Sequence, residues 1–218
     1  MDWQATQNQE YLFLLERRLR EPRLIWVDQF VEIINNLIDK KGLNFNLLVN
    51  DFGCNVGHLY RGIQVINGII DYCGYDISDT YLEIARKYFP EANFINFDIS
   101  GMVAPRTADI AVISATLEHI DNHQTAIKNI FDTSRHMVIM RTFIGDVHIC
   151  ESCLTDGASD EYLIKQFNID EITLYPNEVG WHMTSVADNA TEGKPKLVCN
   201  GRTIIRSQQI MVFTRNEK

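Results

Sequence analysis

Three aspartates, each at the end of an apolar run, have the type and spacing in this sequence that best suit ligand binding. Asp51 follows Leu47–Val49 and precedes a turn with a glycine at each end, Gly53–Gly57, while Asp76 and Asp98 end two later runs. Glycine allows a sharp turn and a close approach of the backbone to a ligand. Because ligands of open α/β sheets bind beyond the carboxyl ends of the strands, we expect these acids to face a ligand-binding cleft.

The turn after Asp51 does not match two common nucleotide-binding motifs. A dinucleotide motif G-x-G-x-x-G would have glycine at the positions of Asn55 and His58, so an oxidoreductase that uses NAD is a weak alternative. A P-loop would continue from Gly57 with Lys and Ser or Thr, but His58 and Leu59 follow. Neither motif explains the turn.

The pattern Asp51-x-Gly53-Cys54-x-x-Gly57, between a predicted strand and a predicted helix, resembles the first motif of class I S-adenosylmethionine-dependent methyltransferases. Asn55 stands where glycine is frequent, and asparagine visits left-handed conformations more readily than most residues. Asp76 and Asp98 match the next two strand ends of that family. A fourth strand ending at Ser114, followed by the segment Leu117–Ile120, also matches, so the resemblance extends over residues 45–145.

The resemblance implies S-adenosylmethionine as the cofactor. Asp76 would bind the ribose hydroxyls, Asp98 the adenine amino group, and Asp51 the amino end of the methionine moiety. A single strand-end aspartate is more often a helix cap or turn former, but three in register favour the cofactor role. The implied cofactor-binding residues are Asp51, Gly53, Cys54, Asn55, Gly57, Asp76, Ile77, Asp98, Ile99, Ser114 and Glu118.

Candidate catalytic and acceptor-binding residues lie after the fourth and fifth predicted strands. A hydroxyl acceptor must lose a proton, and a histidine suits that task, so His119 and His148 are candidate catalytic bases. In the resembling proteins the histidine at the position of His119 often only orders the loop. His123 and Arg141 are candidate acceptor-binding residues, and Arg141 would need a carboxylate partner such as Glu118.

The cysteines allow a second, weaker interpretation of one segment. Cys150 and Cys153, with His148 nearby, could hold zinc if His182 or Cys199 completed a tetrahedral set. Without a second cysteine pair this is disfavoured, so we predict no metal. The five cysteines are an odd number at unrelated spacings, which predicts reduced thiols.

Composition favours a single domain that acts on small molecules. The 218 residues, 45% of them apolar, suffice for one core, and a net charge of −9 disfavours nucleic acid. We find no apolar run long enough to span a bilayer and no signal-peptide pattern at Met1–Gln4, so a cytoplasmic location is expected. A homodimer is compatible with the sequence. A basic cluster is either a solvated helix face or a contact for an anionic acceptor or lipid: Arg17, Arg18, Arg20 and Arg23.

The expected fold is a doubly wound α/β domain with a mostly parallel seven-stranded sheet and a C-terminal antiparallel strand. Residues 1–45 would form a helical cap, 46–142 the cofactor-binding core, and 143–218 a lid or acceptor loop, helices and a β-hairpin. Residues 143–159 are predicted as a loop and 160–167 as a helix. Trp3 and Tyr11 are candidate lid residues, Trp26 a core residue, and Thr80 with Glu83 a helix-capping box.

These features together predict transfer of a methyl group from S-adenosylmethionine to an oxygen or nitrogen atom of a small-molecule acceptor. The alternative is a non-catalytic partner subunit that keeps the cofactor pocket, because the sequence does not single out one acceptor base.

Overall fold

A computed structural model of the protein describes residues 9–41, 46–66, 70–154, 161–199, 203–205 and 207–215. The prediction for Trp3 lies outside these residues. The α-helices of the described residues are α1 (Gln9–Arg20), α2 (Ile25–Lys41), α3 (His58–Ile63), α4 (Asp79–Tyr88), α5 (His123–Asp132) and α6 (Ile169–Glu178). The strands are β1 (Leu47–Phe52), β2 (Ile70–Asp76), β3 (Asn93–Asn96), β4 (Ala108–Ser114), β5 (Ser134–Gly145), β6 (Ile149–Leu154), β7 (Glu161–Asn168), β8 (Trp181–Val186), β9 (Lys196–Val198), β10 (Thr203–Ile205) and β11 (Gln208–Arg215).

The main sheet runs in the order β3-β2-β1-β4-β5-β11-β8. The pairs from β3 to β5 are parallel, and β11 is antiparallel to both β5 and β8. The predicted mostly parallel sheet with an antiparallel C-terminal strand is therefore confirmed, but β6 and β7 extend the predicted seven strands to nine. From β1 the strand order continues through β2 and β3 on one side and through β4 and β5 on the other. The carboxyl ends of β1 and β4 therefore lie side by side where the order changes direction, which is where such sheets bind ligands.

Helices cover both faces of the sheet. Helices α1 to α4 pack on one face against side chains such as Val49 and Ile110, and α5 and α6 pack on the other against Phe52 and Ile113. The central strands are apolar on both faces because both faces are covered. This packing fixes where the strand ends lie, and with them the acidic side chains.

The segment predicted as a loop and then a helix forms two strands instead. β5 continues to Gly145, and β6 pairs with β7 in an antiparallel ribbon. The end of β7 pairs in parallel with the end of β5, where Ile144 lies beside Phe167. The predicted helix at 160–167 is wrong, because pairing with β5 and β6 outweighs the local preference of this segment. The β6–β7 ribbon thus lies at the carboxyl end of the sheet.

The N-terminal caps of two helices, α4 and α6, differ from the prediction. Helix α4 is capped by Ser78, whose hydroxyl accepts a hydrogen bond from the Tyr81 amide, so the predicted capping box of Thr80 and Glu83 is wrong. A capping box does occur at α6, where Asn168 is the cap and Glu171 the reciprocal partner.

The cysteines correct a further prediction. Cys54 and Cys73 are free and buried and Cys150 is free and exposed, but Cys199 is disulfide-bonded, so the prediction of reduced thiols throughout is wrong. The side chain of Cys153 lies outside the described part of the chain. Within that part, no group of three His, Cys, Asp or Glu side chains could hold a metal ion. No helix in the described ranges is long and apolar enough to cross a membrane.

Candidate active site

The turn after β1 is held in a conformation that requires its glycines. Gly53 and Gly57 have φ of 71° and 86°, and Asn55 adopts a left-handed φ of 52°. The Gly53 amide donates to the Tyr75 carbonyl at 2.7 Å, which ties the turn to the end of β2. A Cβ at Gly53 would lie 2.1 Å from Oγ1 of Thr116. The turn is therefore packed directly against the segment that follows β4.

Asp76 closes the far side of this turn. Its Oδ2 accepts from the Asn55 amide and its Oδ1 from the Ser78 amide, both at 2.9 Å. Burial raises the pKa of this carboxyl, and the backbone hydrogen bonds oppose that rise. A carboxylate has about four acceptor positions, so capacity remains for a ligand's hydroxyl groups. The structure thus holds Asp76 rigidly at the end of β2.

Asp51, near the end of β1, is more deeply buried than Asp76. Tyr72 donates its hydroxyl to Oδ2 of Asp51 at 2.7 Å. Burial raises the pKa of Asp51 to about 7, against the lowering effect of the Tyr72 hydrogen bond, and Asp76 adds to the rise. A cation bound beside Asp51 would reverse this effect by favouring the charged form. Tyr72 was not singled out by the sequence, where it appears only as an apolar position of a strand.

Asp51→Asn is expected to stabilise the free protein increasingly as the pH rises. The folded pKa of Asp51 lies above its unfolded value, so the folded state binds more protons between these values and the wild type loses stability as pH increases towards 7. The variant has no titrating group at this position, so it does not lose this stability. The difference in the free energy of unfolding between variant and wild type should therefore grow by about 2 kcal/mol between pH 5 and pH 8. Urea unfolding at both pH values measures it. An advantage that does not change with pH would contradict the assignment.

Asp98 and the two predicted isoleucines lie in different environments. Asp98 is half-buried, and its Oδ1 accepts from both the amide and the hydroxyl of Ser100, at 2.8 and 2.6 Å. Oδ2 takes part in no hydrogen bond with the described residues. Ile77 beside Asp76 is exposed, whereas Ile99 is buried in the core under α5. Only Ile77 therefore presents an apolar side chain that a flat ligand could cover.

At the end of β4, the hydroxyl of Ser114 is buried and has no hydrogen-bond partner among the described residues. Ala115 has a φ of 51°, so the chain turns sharply there, and the Thr116 hydroxyl donates to the Ser114 carbonyl. Glu118 is buried and accepts from Thr142 at 2.8 Å and from Gln208 at 2.9 Å. Glu118 is thus fixed by neutral donors from β5 and β11.

His119 is oriented by the β6–β7 ribbon. Its Nδ1 lies 2.6 Å from the Leu163 carbonyl oxygen of β7. A carbonyl oxygen can only accept, so Nδ1 carries the proton and the lone pair of the neutral ring is on Nε2. This is the tautomer that a base acting through Nε2 requires.

Arg141 has a different partner from the one predicted. Its guanidinium binds the carboxylate of Asp188 through two hydrogen bonds of 3.0 and 3.1 Å, and both side chains are buried. Glu118 is not its partner, so that prediction is wrong. Asp188 was missed because it lies 47 positions away along the chain. Because its charge is already paired with a buried carboxylate, Arg141 is a poor anchor for an acidic acceptor.

The other two candidate histidines lie together beside β7. The rings of His123 and His148 are 6.4 Å apart, and both lie near Phe167 of β7. His148 is exposed and its Nδ1 lies 3.0 Å from the Glu171 carboxylate. Burial and the nearby Lys165 lower the pKa of His123.

Helix α1 carries Tyr11, a predicted lid residue, within electrostatic range of Asp76. Burial raises the pKa of Tyr11, which Arg18 lowers and Asp76 raises further, so this phenol lies close enough to Asp76 to respond to its charge. The predicted cap position of Tyr11 fits this placement, and Trp26 packs partly buried against the core. The other three arginines of the basic cluster form ion pairs with neighbouring acids: Arg17 with Glu21, Arg20 with Glu16, and Arg23 with Asp28.

Comparison with known proteins agrees with this geometry. Residues 50–135 match a family model described as a methyltransferase domain. No curated protein matches the chain significantly by sequence.

Solved structures share the fold over nearly the whole chain. An S-adenosylmethionine-dependent methyltransferase from Clostridium acetobutylicum is 12% identical, with a TM-score of 0.65 over 95% of this chain and 98% of that one. Magnesium protoporphyrin IX methyltransferase from Synechocystis, solved with S-adenosylmethionine, is 16% identical, with a TM-score of 0.60 over 96% and 93%. An amino pentose methyltransferase from Micromonospora echinaspora, also with that ligand, is 14% identical, with a TM-score of 0.63 over 94% and 97%.

Proposed function

We infer that this protein, whose residues 50–135 match a methyltransferase-domain family model, transfers the methyl group of S-adenosylmethionine to a small-molecule acceptor. The observation that carries the proposal is a set of three acids, one at or just beyond the end of each of β1, β2 and β3. They accompany a glycine turn in which a Cβ at Gly53 would clash with Thr116. Solved structures with the same fold were obtained with S-adenosylmethionine bound, which supports the same ligand here.

Each part of the cofactor has a candidate partner. Asp76 would accept from the ribose hydroxyls, with its position held by the Asn55 and Ser78 amides. Oδ2 of Asp98 would accept from the adenine amino group, and Ile77 would cover one face of the ring. Asp51 would bind the methionine ammonium, which would hold that carboxyl in its charged form. The sulfonium supplies an activated methyl group, so the protein chiefly has to align the reacting atoms.

His119 is the proposed base for an acceptor that must lose a proton. The methyl group leaves sulfur for an oxygen or nitrogen of the acceptor, the S–CH₃ bonding pair stays on sulfur, and the acceptor proton moves to Nε2 of His119. The Leu163 carbonyl supports this by keeping the ring proton on Nδ1. His148 is exposed and paired with Glu171, so it is the weaker candidate.

The acceptor is proposed to be neutral or cationic. Arg141 is paired with Asp188, and Glu118 contributes a buried carboxylate bonded only to neutral donors among the described side chains. An acidic acceptor would meet no unpaired cation from these residues.

Calorimetric titration with S-adenosylmethionine, S-adenosylhomocysteine and NAD tests the proposal. Micromolar binding of the first two supports it, and binding of NAD alone would refute it. Turnover is then measured as S-adenosylhomocysteine release with amino sugars, catechols, small amines and carboxylic acids as acceptors. Cofactor binding with no turnover on any acceptor would instead favour the non-catalytic partner subunit. A cytoplasmic location and a homodimer stay as predictions from the sequence.

Asp76→Asn is expected to weaken S-adenosylmethionine binding by about 1.5–3 kcal/mol, because a charge-assisted hydrogen bond to the ribose is lost while the shape is kept. Calorimetry measures the change. Asp71→Asn is the matched control, since Asp71 is on the same strand but pairs with Arg106 at its other end. Unchanged affinity in Asp76→Asn would remove the ribose assignment.

His119→Gln is expected to lower kcat about 100-fold for a hydroxyl acceptor, within the usual range for loss of a general base, and to leave cofactor affinity within twofold. The glutamine can still donate towards the Leu163 carbonyl, so the loop should keep its position. The rate of S-adenosylhomocysteine release at pH 6 to 9 measures the effect. Full turnover in a folded variant would show that His119 only orders its loop.

A further inference from the structure

Lys165 of β7 is a buried lysine whose ammonium binds no carboxylate among the described residues. Its Nζ donates to the carbonyl oxygens of Ile120 and Asp121 at 2.7 and 2.8 Å, and lies 3.3 Å from Nδ1 of His123. An ammonium has three protons, so these three acceptors match its donors. Burial lowers the pKa of Lys165, so this position costs free energy that an exposed lysine would not lose.

All three acceptors belong to the segment Ile120–His123, which directly follows His119. The same strand supplies the Leu163 carbonyl that binds Nδ1 of His119. Two positions of β7 therefore hold the whole segment from 119 to 123, hereafter the histidine loop. The contacts to the Ile120 and Asp121 carbonyls are to backbone, so they fix the path of the chain on the carboxyl side of His119.

Hydrogen bonds from β7 fix the tautomer of the first histidine of this loop. His119 carries its proton on Nδ1 because the Leu163 carbonyl accepts it. Nδ1 of His123 lies 3.3 Å from Nζ of Lys165 and can accept a hydrogen bond from it when the ring proton is on Nε2, an atom with no hydrogen-bond partner among the described residues. Removing the Lys165 ammonium would leave two partly buried carbonyl oxygens without this donor.

We propose that Lys165 is a positioning residue, which fixes the histidine loop so that Nε2 of His119 faces the acceptor as an unprotonated base. This inference rests on the proposed function, because it acts through His119. It also assigns a role to the β6–β7 ribbon, which carries the lysine across to the loop. Lys165 itself touches neither the acceptor nor the cofactor in this proposal.

Long-range ¹H–¹⁵N spectra of protein labelled with [¹⁵N]histidine test the proposal without an acceptor. The wild type is expected to show His119 protonated on Nδ1 at pH 8. In Lys165→Met, His119 should become a mixture of tautomers and the pKa of His123 should rise, because the neighbouring cation is gone. Lys165→Arg should restore the wild-type His119 signals, since a guanidinium can donate to both carbonyls.

Two further variants keep the test decisive. Lys128→Met is the control, because Lys128 is an exposed lysine of α5 that pairs with Asp132, and its His119 signals should stay those of the wild type. If Lys165→Met does not fold, Lys165→Gln provides two donors without charge and reports the same pKa rise at His123. Wild-type tautomers and titration in all folded Lys165 variants would overturn the proposal.

Kinetics separate this inference from the proposed function. With any acceptor that gives turnover, Lys165→Met should lower kcat about 10-fold or more and shift its pH profile, while KM for S-adenosylmethionine changes less than twofold. Absence of cofactor binding in the wild type would refute the proposed function and leave the tautomer result to stand alone. Normal binding with an unchanged kcat and pH profile in Lys165→Met would refute only the positioning role.

Discussion

Arg141→Met is expected to lower the free energy of unfolding by about 3–5 kcal/mol, because it would leave the Asp188 carboxylate buried and unpaired. The exposed fraction of the two side chains is 7% for Arg141 and 0% for Asp188, so water cannot replace the lost donors. Burial alone would raise the pKa of Asp188, but hydrogen bonds from Arg141 and Thr191 hold it below its usual value. The guanidinium is what keeps this carboxylate charged inside the fold.

Urea unfolding at pH 7 measures the loss. Arg17→Met is the control, because Arg17 forms an exposed pair with Glu21, and such pairs contribute less than about 1 kcal/mol. Without the guanidinium, burial would raise the pKa of Asp188 in the variant, so the variant should regain stability as the pH falls from 7 towards 4 and the difference between the proteins should shrink. The wild type loses its own contribution from Asp188 only below the unfolded pKa of this carboxyl. A loss below about 1 kcal/mol at pH 7 would contradict the pairing.

A second substitution separates the contribution of the ion pair to the free energy of unfolding from the cost of leaving one buried charge unpaired. Arg141→Met combined with Asp188→Leu removes both charges, so the double variant should recover much of the lost stability. Recovery would indicate that the pair is kept for position rather than for stability, since it joins β5 to the segment after β8. Failure to recover would mean that the pair stabilises the fold in its own right.

The strands that carry the candidate cofactor-binding acids were predictable because their signals are local. The apolar run that ends at Asp76 predicted a strand there, and the structure has β2 at Ile70–Asp76. Gly53 and Gly57 marked the turn because only a residue tolerant of positive φ fits there. Strand, turn and helix each leave a pattern within about ten residues, which is what periodicity can detect.

Partners far apart in sequence were not predictable. Arg141 was matched with Glu118 because both follow strand ends, but its partner Asp188 is brought to it by the antiparallel pairing of β8 and β11. The β6–β7 ribbon was interpreted as loop and helix because the segment has no clear alternation and gains its strand structure from pairing. Lys165 was therefore not considered, since its role depends on that pairing.

Gly53→Ala is expected to be the most damaging conservative change in the cofactor turn. Its φ of 71° is strained for alanine, and the new Cβ would lie 2.1 Å from Oγ1 and 2.7 Å from Cβ of Thr116. Gly193→Ala is a matched control, because Gly193 has a φ of 69° and nothing within 4 Å of the position of its Cβ. The control should lose only the left-handed strain, about 1–2 kcal/mol.

Any loss of stability in Gly53→Ala beyond that of Gly193→Ala measures the contact between the turn and Thr116. We expect an excess of at least about 2 kcal/mol, of the order found when a packed site is overfilled. Affinity for S-adenosylmethionine should also fall at least about tenfold, because the turn carries Asn55, whose amide holds Asp76.

Thr116→Gly in the Gly53→Ala background removes all three atoms that the new methyl group would meet. Relative to Thr116→Gly alone, adding Gly53→Ala should then cost no more than Gly193→Ala costs in the wild type. If Gly53→Ala and Gly193→Ala lower the free energy of unfolding equally in the wild-type background, the Thr116 side chain moves aside without loss of stability. The close packing of the turn after β1 against the segment after β4 would then not be what shapes the cofactor pocket.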